Sequence, residues 1–292
     1  MTDLIQLCLS GISLGMIYAM LAFGYGITFS TSRTINFAQG DFLMLGGLTA
    51  FSLTVRHHLP YLVGVLGAAG VGVVLGLALE YLAIRPALRM RSTVTWILAT
   101  VALGIVLRNG AERVWGTDDY RFPGPLGDAP LVWGQIRVLP QELLVIGVAT
   151  AVMVAYEIFR RTSIVGKAVT AVAADKDASS LVGIPVDRVM TLSFILSSAI
   201  AAVAGVLVAP LTLVGPSMGV LLSTKAYAVA IIGGLQSGLG VIAGGLILGL
   251  GEQVTARYIS TGYKDTPGFI FLIIILLVRP NGLFGKAAVR KV

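Results

Sequence analysis

Long runs of apolar residues, separated by short polar stretches, extend along almost the whole chain. A helix that crosses a membrane needs about 20 mostly apolar residues, so these runs predict an all-α membrane protein, a polytopic bundle of about eight transmembrane segments. The predicted segments are 4–31, 35–55, 61–84, 93–113, 141–159, 189–213, 223–252 and 267–279. Because little chain remains between them, residues 1–292 are predicted to form a single transmembrane domain.

The composition supports a bilayer rather than water as the surrounding medium. Of the 292 residues, 56% are hydrophobic and 12% are charged, whereas about 25% of the residues in an ordinary soluble domain are charged. The 36 glycines fit the same environment, since small residues let membrane helices approach one another closely. Burial in water cannot account for so much apolar surface.

The basic residues predict how the segments are oriented. The net charge of +7 is spread over the loops rather than over one face, which argues against nucleic-acid binding. Cytoplasmic loops carry an excess of Lys and Arg. Arg33, the loop 85–91, the loop 160–188 and the tail 286–291 are therefore predicted to be cytoplasmic, and the loop 115–140 external. The N-terminus then lies outside.

The segment 223–252 does not fit a single crossing. The loops on both of its sides are predicted to be external, so the segment must enter and leave on the same side. We predict a broken or re-entrant segment that turns within 233–238, where four of the six residues are Gly or Ser. Irregular backbone at membrane depth is tolerated only where protein or a water-filled cavity covers it, which makes this segment a candidate for a transport pathway.

Several polar residues lie inside the apolar runs. Charged groups at the centre of a bilayer cost at least about 2.5–3.5 kcal/mol on insertion scales, so they usually face a cavity or each other. For Asp41 and Lys225 we favour a structural role inside the bundle over direct contact with a substrate, and we expect Glu252 to extend to the nearby interface. The candidate pathway residues are Asn36, Gln39, Asp41, Lys225 and Gln236.

The sequence contains no recognisable catalytic or cofactor chemistry. It lacks the G-x-x-x-x-G-K-[ST] motif that binds nucleotide phosphates and the H-E-x-x-H motif that binds zinc. Cys8 stands alone, and His57 and His58 lie in a short external turn. We therefore expect no catalytic residue, no metal and no cofactor, and a protein that is not itself an enzyme. Energy for transport must come from a partner or from an ion gradient.

The predicted cytoplasmic loop 163–188 is the most informative polar stretch. Its five alanines between 168 and 178 favour a helix, which Gly183 and Pro185 then end. A helix of small residues on the cytoplasmic face fits a groove in a partner protein. It equally fits a solvated surface helix, and the spacing alone does not separate the two.

Placed in order along the chain, the motifs resemble one family, the integral membrane permeases of bacterial ABC importers for branched-chain amino acids. The resemblance is to the shorter, LivH-type subunit and covers nearly the whole chain. Each motif alone is weak, and their order carries the resemblance. The matching stretches are 11–19 (GISLGMIYA), 35–41 (INFAQGD), 80–86 (EYLAIRP), 98–100 (LAT), 173–184 (AADKDASSLVGI), 225–227 (KAY), 233–234 (GG), 244–245 (GG), 263–265 (YKD) and 279–285 (RPNGLFG).

The resemblance implies a permease subunit of the bacterial cytoplasmic (inner) membrane that takes up branched-chain or related amino acids. Its implied partners are a second homologous permease in a heterodimer, two cytoplasmic ATPase subunits that hydrolyse ATP, and an external substrate-binding protein. The loop 163–188 then corresponds to the family's coupling helix, which docks on the ATPase. The implied coupling residues are Gly166, Ala171, Ala173, Ala174, Asp175, Ala178 and Gly183.

Four residues depart from the family's usual pattern. Gln39 stands in place of His, Asp41 in place of Glu, Arg108 in place of Gln and Thr170 in place of Arg. The alternative interpretation is a stand-alone secondary transporter or channel for a small polar solute, which would need an ion-coupling site at the broken segment.

Overall fold

The structure, a computed structural model, describes residues 2–90, 93–127, 129–133 and 136–285. Most of these residues lie in α-helices, and two short π-helical segments, Ser52–Arg56 and Glu80–Ile84, continue α2 and α3. The helices are α1 (Thr2–Ser32), α2 (Gln39–Phe51), α3 (Tyr61–Leu79), α4 (Arg85–Arg89), α5 (Thr93–Trp115), α6 (Pro140–Thr162), α7 (Ile164–Ala174), α8 (Lys176–Leu181), α9 (Val186–Val208), α10 (Met218–Gly233), α11 (Gly238–Tyr258) and α12 (Thr266–Val278).

The predicted all-α membrane architecture is confirmed. In the described part of the chain, seven helical stretches are long and apolar enough to cross a membrane. They are Leu4–Ser32, Tyr61–Arg89, Val94–Trp115, Pro140–Thr162, Val186–Val208, Gly238–Tyr258 and Thr261–Val278. The helices α2 and α10 are shorter than these. The predicted segment 35–55 starts later than expected, because the chain from 33 to 38 is not helical and α2 begins at Gln39.

The break in the segment 223–252 lies where the glycines predict it. α10 ends at Gly233, Gly234 has a φ of +93°, and α11 begins at Gly238. A positive φ is costly for residues with a side chain, so glycine suits this turn. The segment is thus two separate helices rather than one interrupted helix. The second of them, α11, is by itself long enough to span a membrane.

A glycine seam joins α1 to α11, which run antiparallel. Gly11 faces Gly249, and Gly15 faces Gly245. A Cβ atom added to Gly11 would lie 3.1 Å from the carbonyl oxygen of Gly249. Membrane helices associate through such close backbone packing, because lipid gives them no hydrophobic drive to do so.

The turn between α10 and α11 lies beside the end of α1 that is predicted to be cytoplasmic. A Cβ atom added to Gly26 of α1 would collide with the carbonyl oxygen of Leu235, so the two backbones lie in close contact here. The segment after α12 returns to this turn, since the N–H groups of Leu283 and Phe284 donate to the carbonyls of Ile232 (2.8 Å) and Gly233 (3.2 Å).

Not every charge used for the orientation can be located. Arg91, Asp128, Lys286, Arg290 and Lys291 lie outside the described residues.

The opposite end of the bundle carries the long loop between α5 and α6. It contains a small hairpin that the sequence does not predict, in which β1 (Leu131–Trp133) pairs antiparallel with β2 (Ile136–Val138). Tyr120 forms a β-bridge with Val214, so this loop is tied to the connection between α9 and α10.

We predict that Gly245→Ala destabilises the protein by about 1–3 kcal/mol, because its methyl group would overpack the seam against Gly15 and Ala19. The matched control is Gly147→Ala on α6, where a Cβ would meet no atom within 4 Å. Thermal unfolding in detergent measures both. Equal melting temperatures for the two variants would contradict the packing role of the seam.

Candidate coupling surface and pathway

The loop 163–188, predicted to be cytoplasmic, folds as two short helices rather than the single helix expected up to Gly183. The Ser163 hydroxyl caps α7 by accepting a hydrogen bond from the Gly166 N–H (2.8 Å). The Asp175 carboxylate caps α8, accepting from the N–H groups of Asp177 (3.0 Å) and Ala178 (3.1 Å). An Asp that bonds the backbone ahead of it favours a new helix start over continuation of the old helix.

Two basic side chains attach this pair of helices to the end of α1. Arg33 Nη2 donates to the Ala173 carbonyl (3.0 Å), and Lys176 Nζ donates to the Ser32 carbonyl (3.0 Å). Partial burial, reinforced by the Arg33 charge, lowers the pKa of Lys176. Arg33 has a φ of +60°, a conformation that few non-glycine residues adopt. The charges of both residues predict the topology, but no local sequence pattern predicts these contacts with α1.

The residues implied for coupling differ in exposure. Gly166 is buried against α6, and a Cβ atom added to it would collide with the carbonyl oxygen of Phe159. Ala171, Ala173 and Asp175 are partly buried. The exposed members of the set are Ala174, Ala178 and Gly183.

Large apolar side chains in and next to these helices are exposed, which the alanine spacing did not predict. Leu181 is 88% exposed, Val182 76% and Ile164 86%. Exposed aliphatic side chains that are grouped together mark contact sites for other proteins. A signal was present in the sequence, since Leu181 and Val182 directly precede the glycine that ends α8.

At the start of α2, Asn36 and Gln39 link three parts of the bundle. Asn36 Nδ2 donates to Gln39 Oε1 (3.1 Å), and Gln39 Nε2 donates to the hydroxyl (3.1 Å) and carbonyl (3.2 Å) oxygens of Ser197 on α9. The Ser197 hydroxyl in turn donates to the Gly24 carbonyl on α1 (2.8 Å). Asn36 and Gln39 are fully buried, so their position supports a structural role.

Asp41 and Arg108, two of the four departures from the family pattern, form an ion pair. Arg108 donates to Asp41 Oδ1 from Nη2 (3.0 Å) and from Nε (3.3 Å). The Asp41 side chain is 5% exposed and that of Arg108 34%. The ion pair therefore joins α2, which carries Asp41, to α5, which carries Arg108.

Lys225 lies in a second cluster of charges inside the bundle. Its Nζ atom is 2.8 Å from Glu252 Oε1 and 2.7 Å from Asp265 Oδ1, and it donates to the Tyr18 hydroxyl (3.2 Å). The Tyr18 hydroxyl also contacts Glu252 Oε2 (2.9 Å). Glu252, expected to extend to the nearby interface, is covered by protein instead, because it is only 3% exposed and pairs with Lys225. A carboxylate so near a helix end is still covered when a lysine on another helix pairs with it.

Gln236, the last candidate, is exposed in the turn between α10 and α11. It lines a surface cavity together with Phe23, Glu157 and Arg160. The five candidate pathway residues thus lie in three separate places: the start of α2, the Lys225 cluster and this turn.

Residues 7–279 match the family model described as branched-chain amino acid transport system / permease component. The chain belongs to this permease family. Among its relatives, the branched-chain amino acid permease LivH of Salmonella typhimurium is 32% identical over 301 residues, covering 99% of this chain and 97% of that protein. BraD of Pseudomonas aeruginosa is 30% identical, with 99% and 98% covered. A probable LivH of Methanocaldococcus jannaschii is 29% identical, with 91% and 88% covered.

Membership makes the chain a multi-pass membrane permease subunit of the ABC importer class. Permeases of this class work with ATPase and substrate-binding partners. In the described residues of the permease, no group of three or more His, Cys, Asp and Glu side chains is placed to hold a metal ion.

We predict that Lys225→Met destabilises the permease by about 3–5 kcal/mol, because it leaves the buried Glu252 carboxylate without its counter-ion. The double variant Lys225→Met/Glu252→Gln also removes the buried carboxylate and leaves only the partly exposed Asp265 charged, so it should recover most of the loss. Thermal unfolding in detergent distinguishes them. Equal stability of the single and the double variant would contradict the pairing argument.

Proposed function

We propose that this permease carries branched-chain or related amino acids into the cell across the bacterial cytoplasmic membrane. ATP hydrolysis on two cytoplasmic ATPase subunits drives the transport. A second homologous permease completes a heterodimeric membrane core, and an external binding protein delivers the solute. The full-length similarity to LivH and BraD supports the solute class.

The observation that carries the proposal is the attachment of α7 and α8 to α1. The hydrogen bonds from Arg33 and Lys176 join the two short helices to the inner end of a membrane helix. Leu181, the last residue of α8, and Val182, which follows it, are both exposed. A segment that is held firmly to the bundle on one side and offers apolar side chains on the other suits transmission of motion from a docked ATPase.

In this proposal, closure of the ATPase dimer moves α7 and α8, and α1 follows because it is bonded to them. The motion reaches the interior through the Ser197–Gly24 hydrogen bond and through Tyr18 in the Lys225 cluster. Packed helices shift between discrete arrangements rather than deforming gradually. The bundle would thereby open to one side of the membrane and then to the other. The predicted external loop 115–140 is the proposed main contact for the binding protein.

We predict that Leu181→Glu lowers ATP-driven uptake on the order of tenfold or more, because it places a charge in an apolar contact of the assembly. The measurement is solute uptake into proteoliposomes that contain the complete importer. Leu181→Met, which keeps the apolar contact, is the matched control and should transport normally. Full uptake by Leu181→Glu, or by Ala174→Arg at the exposed end of α7, would overturn the coupling assignment.

A comparison with the complete importer also distinguishes the proposed ABC mechanism from transport by a stand-alone permease. We predict that liposomes containing this permease alone take up no solute, whereas the complete importer with ATP does. Calorimetry of the cognate binding protein with a panel of amino acids, amides and urea identifies the solute, and we expect leucine, isoleucine or valine to bind. Uptake by the permease alone would contradict the ABC mechanism, and binding of urea only would contradict the solute class.

A further inference from the structure

Arg108 is an unusual residue for its position in the membrane. It lies on α5 about 10 Å from the outer end of that helix, at 1.5 Å per residue. One third of its side chain is exposed. Lipid cannot solvate a guanidinium, so such a group faces another protein chain, a ligand or an aqueous cleft.

The guanidinium points deeper into the bundle rather than out to the external surface. Helical side chains tilt toward the N-terminus of their helix, and on α5 that direction leads toward Gly104. The Asp41 carboxylate lies there, with Oδ1 on Arg108 and Oδ2 over Gly104, where a Cβ would collide with it. The Arg108 side chain therefore does not extend toward the membrane–water interface at the outer end of α5, although that interface is close.

The pair lies where three helices meet. The first turn of α2 packs against α10 through Gly40, which contacts Gly219 and Ser223, and against α5 through Asp41. α5 packs mainly on α2 and on the inner end of α3, and it is among the least buried of the candidate spans. The uncovered part of Arg108 thus lies on the loosely packed side of the bundle.

Aromatic side chains lie on the inner side of this junction. Phe37, which directly precedes the first turn of α2, stacks on Trp96 of α5 with a centroid distance of 6.4 Å. It also contacts Tyr227 of α10, with a centroid distance of 6.0 Å. These three rings bridge α5 and α10 on the predicted cytoplasmic side of the ion pair, so aromatic side chains border the junction on one side and the two charges border it on the other.

We propose that Arg108, held by Asp41, is a contact for the carboxylate of the solute as it passes through the permease. A guanidinium has five N–H donors in a planar fork that matches a carboxylate. In the described part of the chain its hydrogen bonds go to Asp41 alone, from Nε and Nη2, which leaves donors for a second carboxylate. The inference rests on the proposed function and narrows it to solutes with a free carboxylate rather than amides or urea.

A purely structural role is the competing explanation, and a second ion pair provides the comparison. At the inner end of α3, Arg85 Nε lies 2.9 Å from Glu80 Oε1. The Glu80 side chain is 0% exposed and that of Arg85 28%. The chemistry and burial resemble those of Asp41 and Arg108, but the position is at the cytoplasmic end of a helix. Neutralising that pair should affect stability without affecting solute recognition.

The test measures solute binding to the permease–ATPase complex in nanodiscs without the binding protein, by saturation-transfer NMR. The probes are leucine and leucinamide, which differ at the carboxylate. The wild type should bind leucine at least about tenfold better, since a charge-assisted hydrogen bond is lost with the amide. Arg108→Gln should abolish this preference, and Glu80→Gln/Arg85→Gln should keep it.

Uptake by the complete importer distinguishes two roles of Arg108: contact with the solute, or an ion pair with Asp41 that only holds α5 to α2. Asp41→Asn/Arg108→Gln keeps an amide pair between α2 and α5, so normal uptake by this double variant would overturn the proposal in favour of a clamp. Equal binding of leucine and leucinamide by the wild type would overturn it too. Where the wild type imports another carboxylate-bearing solute, that solute and its amide replace the probes. An importer that carries only urea or amides refutes the inference while leaving the ABC mechanism intact.

Discussion

Non-helical backbone inside a membrane must find its hydrogen-bond partners within the protein, and here two amide side chains help to hold it. Asn36 Oδ1 accepts from the Ala38 N–H, and Asn36 Nδ2 donates to Gln39 Oε1. Gln39 joins the irregular stretch 33–38 to α9 through Ser197, which bonds the Gly24 carbonyl on α1. Gly24 lies about 12 Å from the inner end of α1, so the chain enters the bundle before it becomes helical. The position of α2, and of the charge on Asp41, depends on this link.

A helix that starts inside the bundle must also be packed from all sides, which explains the glycines around α2. Gly205 of α9 contacts the carbonyl of Leu43, and Gly219 of α10 contacts that of Gly40. Any side chain at these glycines would push the helices apart. Almost every residue of α2 is buried as a result, and the helix is covered by α3, α9 and α10 although it is too short to span a bilayer alone.

Much of the fold could be predicted from the sequence, because apolar length and loop charge are local signals. The break at 233–238 was predictable for the same reason, since glycines in an apolar run mark it. The contacts of Glu252 were not, because its partner Lys225 is on another helix and only the fold brings the two together. The same holds for Asp41 and Arg108. Local spacing also could not show that Asp175 divides the predicted cytoplasmic helix into α7 and α8, since alanines on both sides favour a continuous helix.

The sites described above are connected mainly through α1. Its inner end is bonded to α7 and α8, Gly24 accepts the bond that positions α2, and Tyr18 joins the Lys225 cluster about 21 Å from that end. Along its outer half α1 is locked to α11 by glycines. A displacement of α1 therefore cannot leave α2 or the cluster unchanged, because each would lose a buried hydrogen bond. In the mechanism proposed above, the cost of an unpaired buried group makes α1 the element that transmits a movement of α7 and α8 to the junction at Arg108.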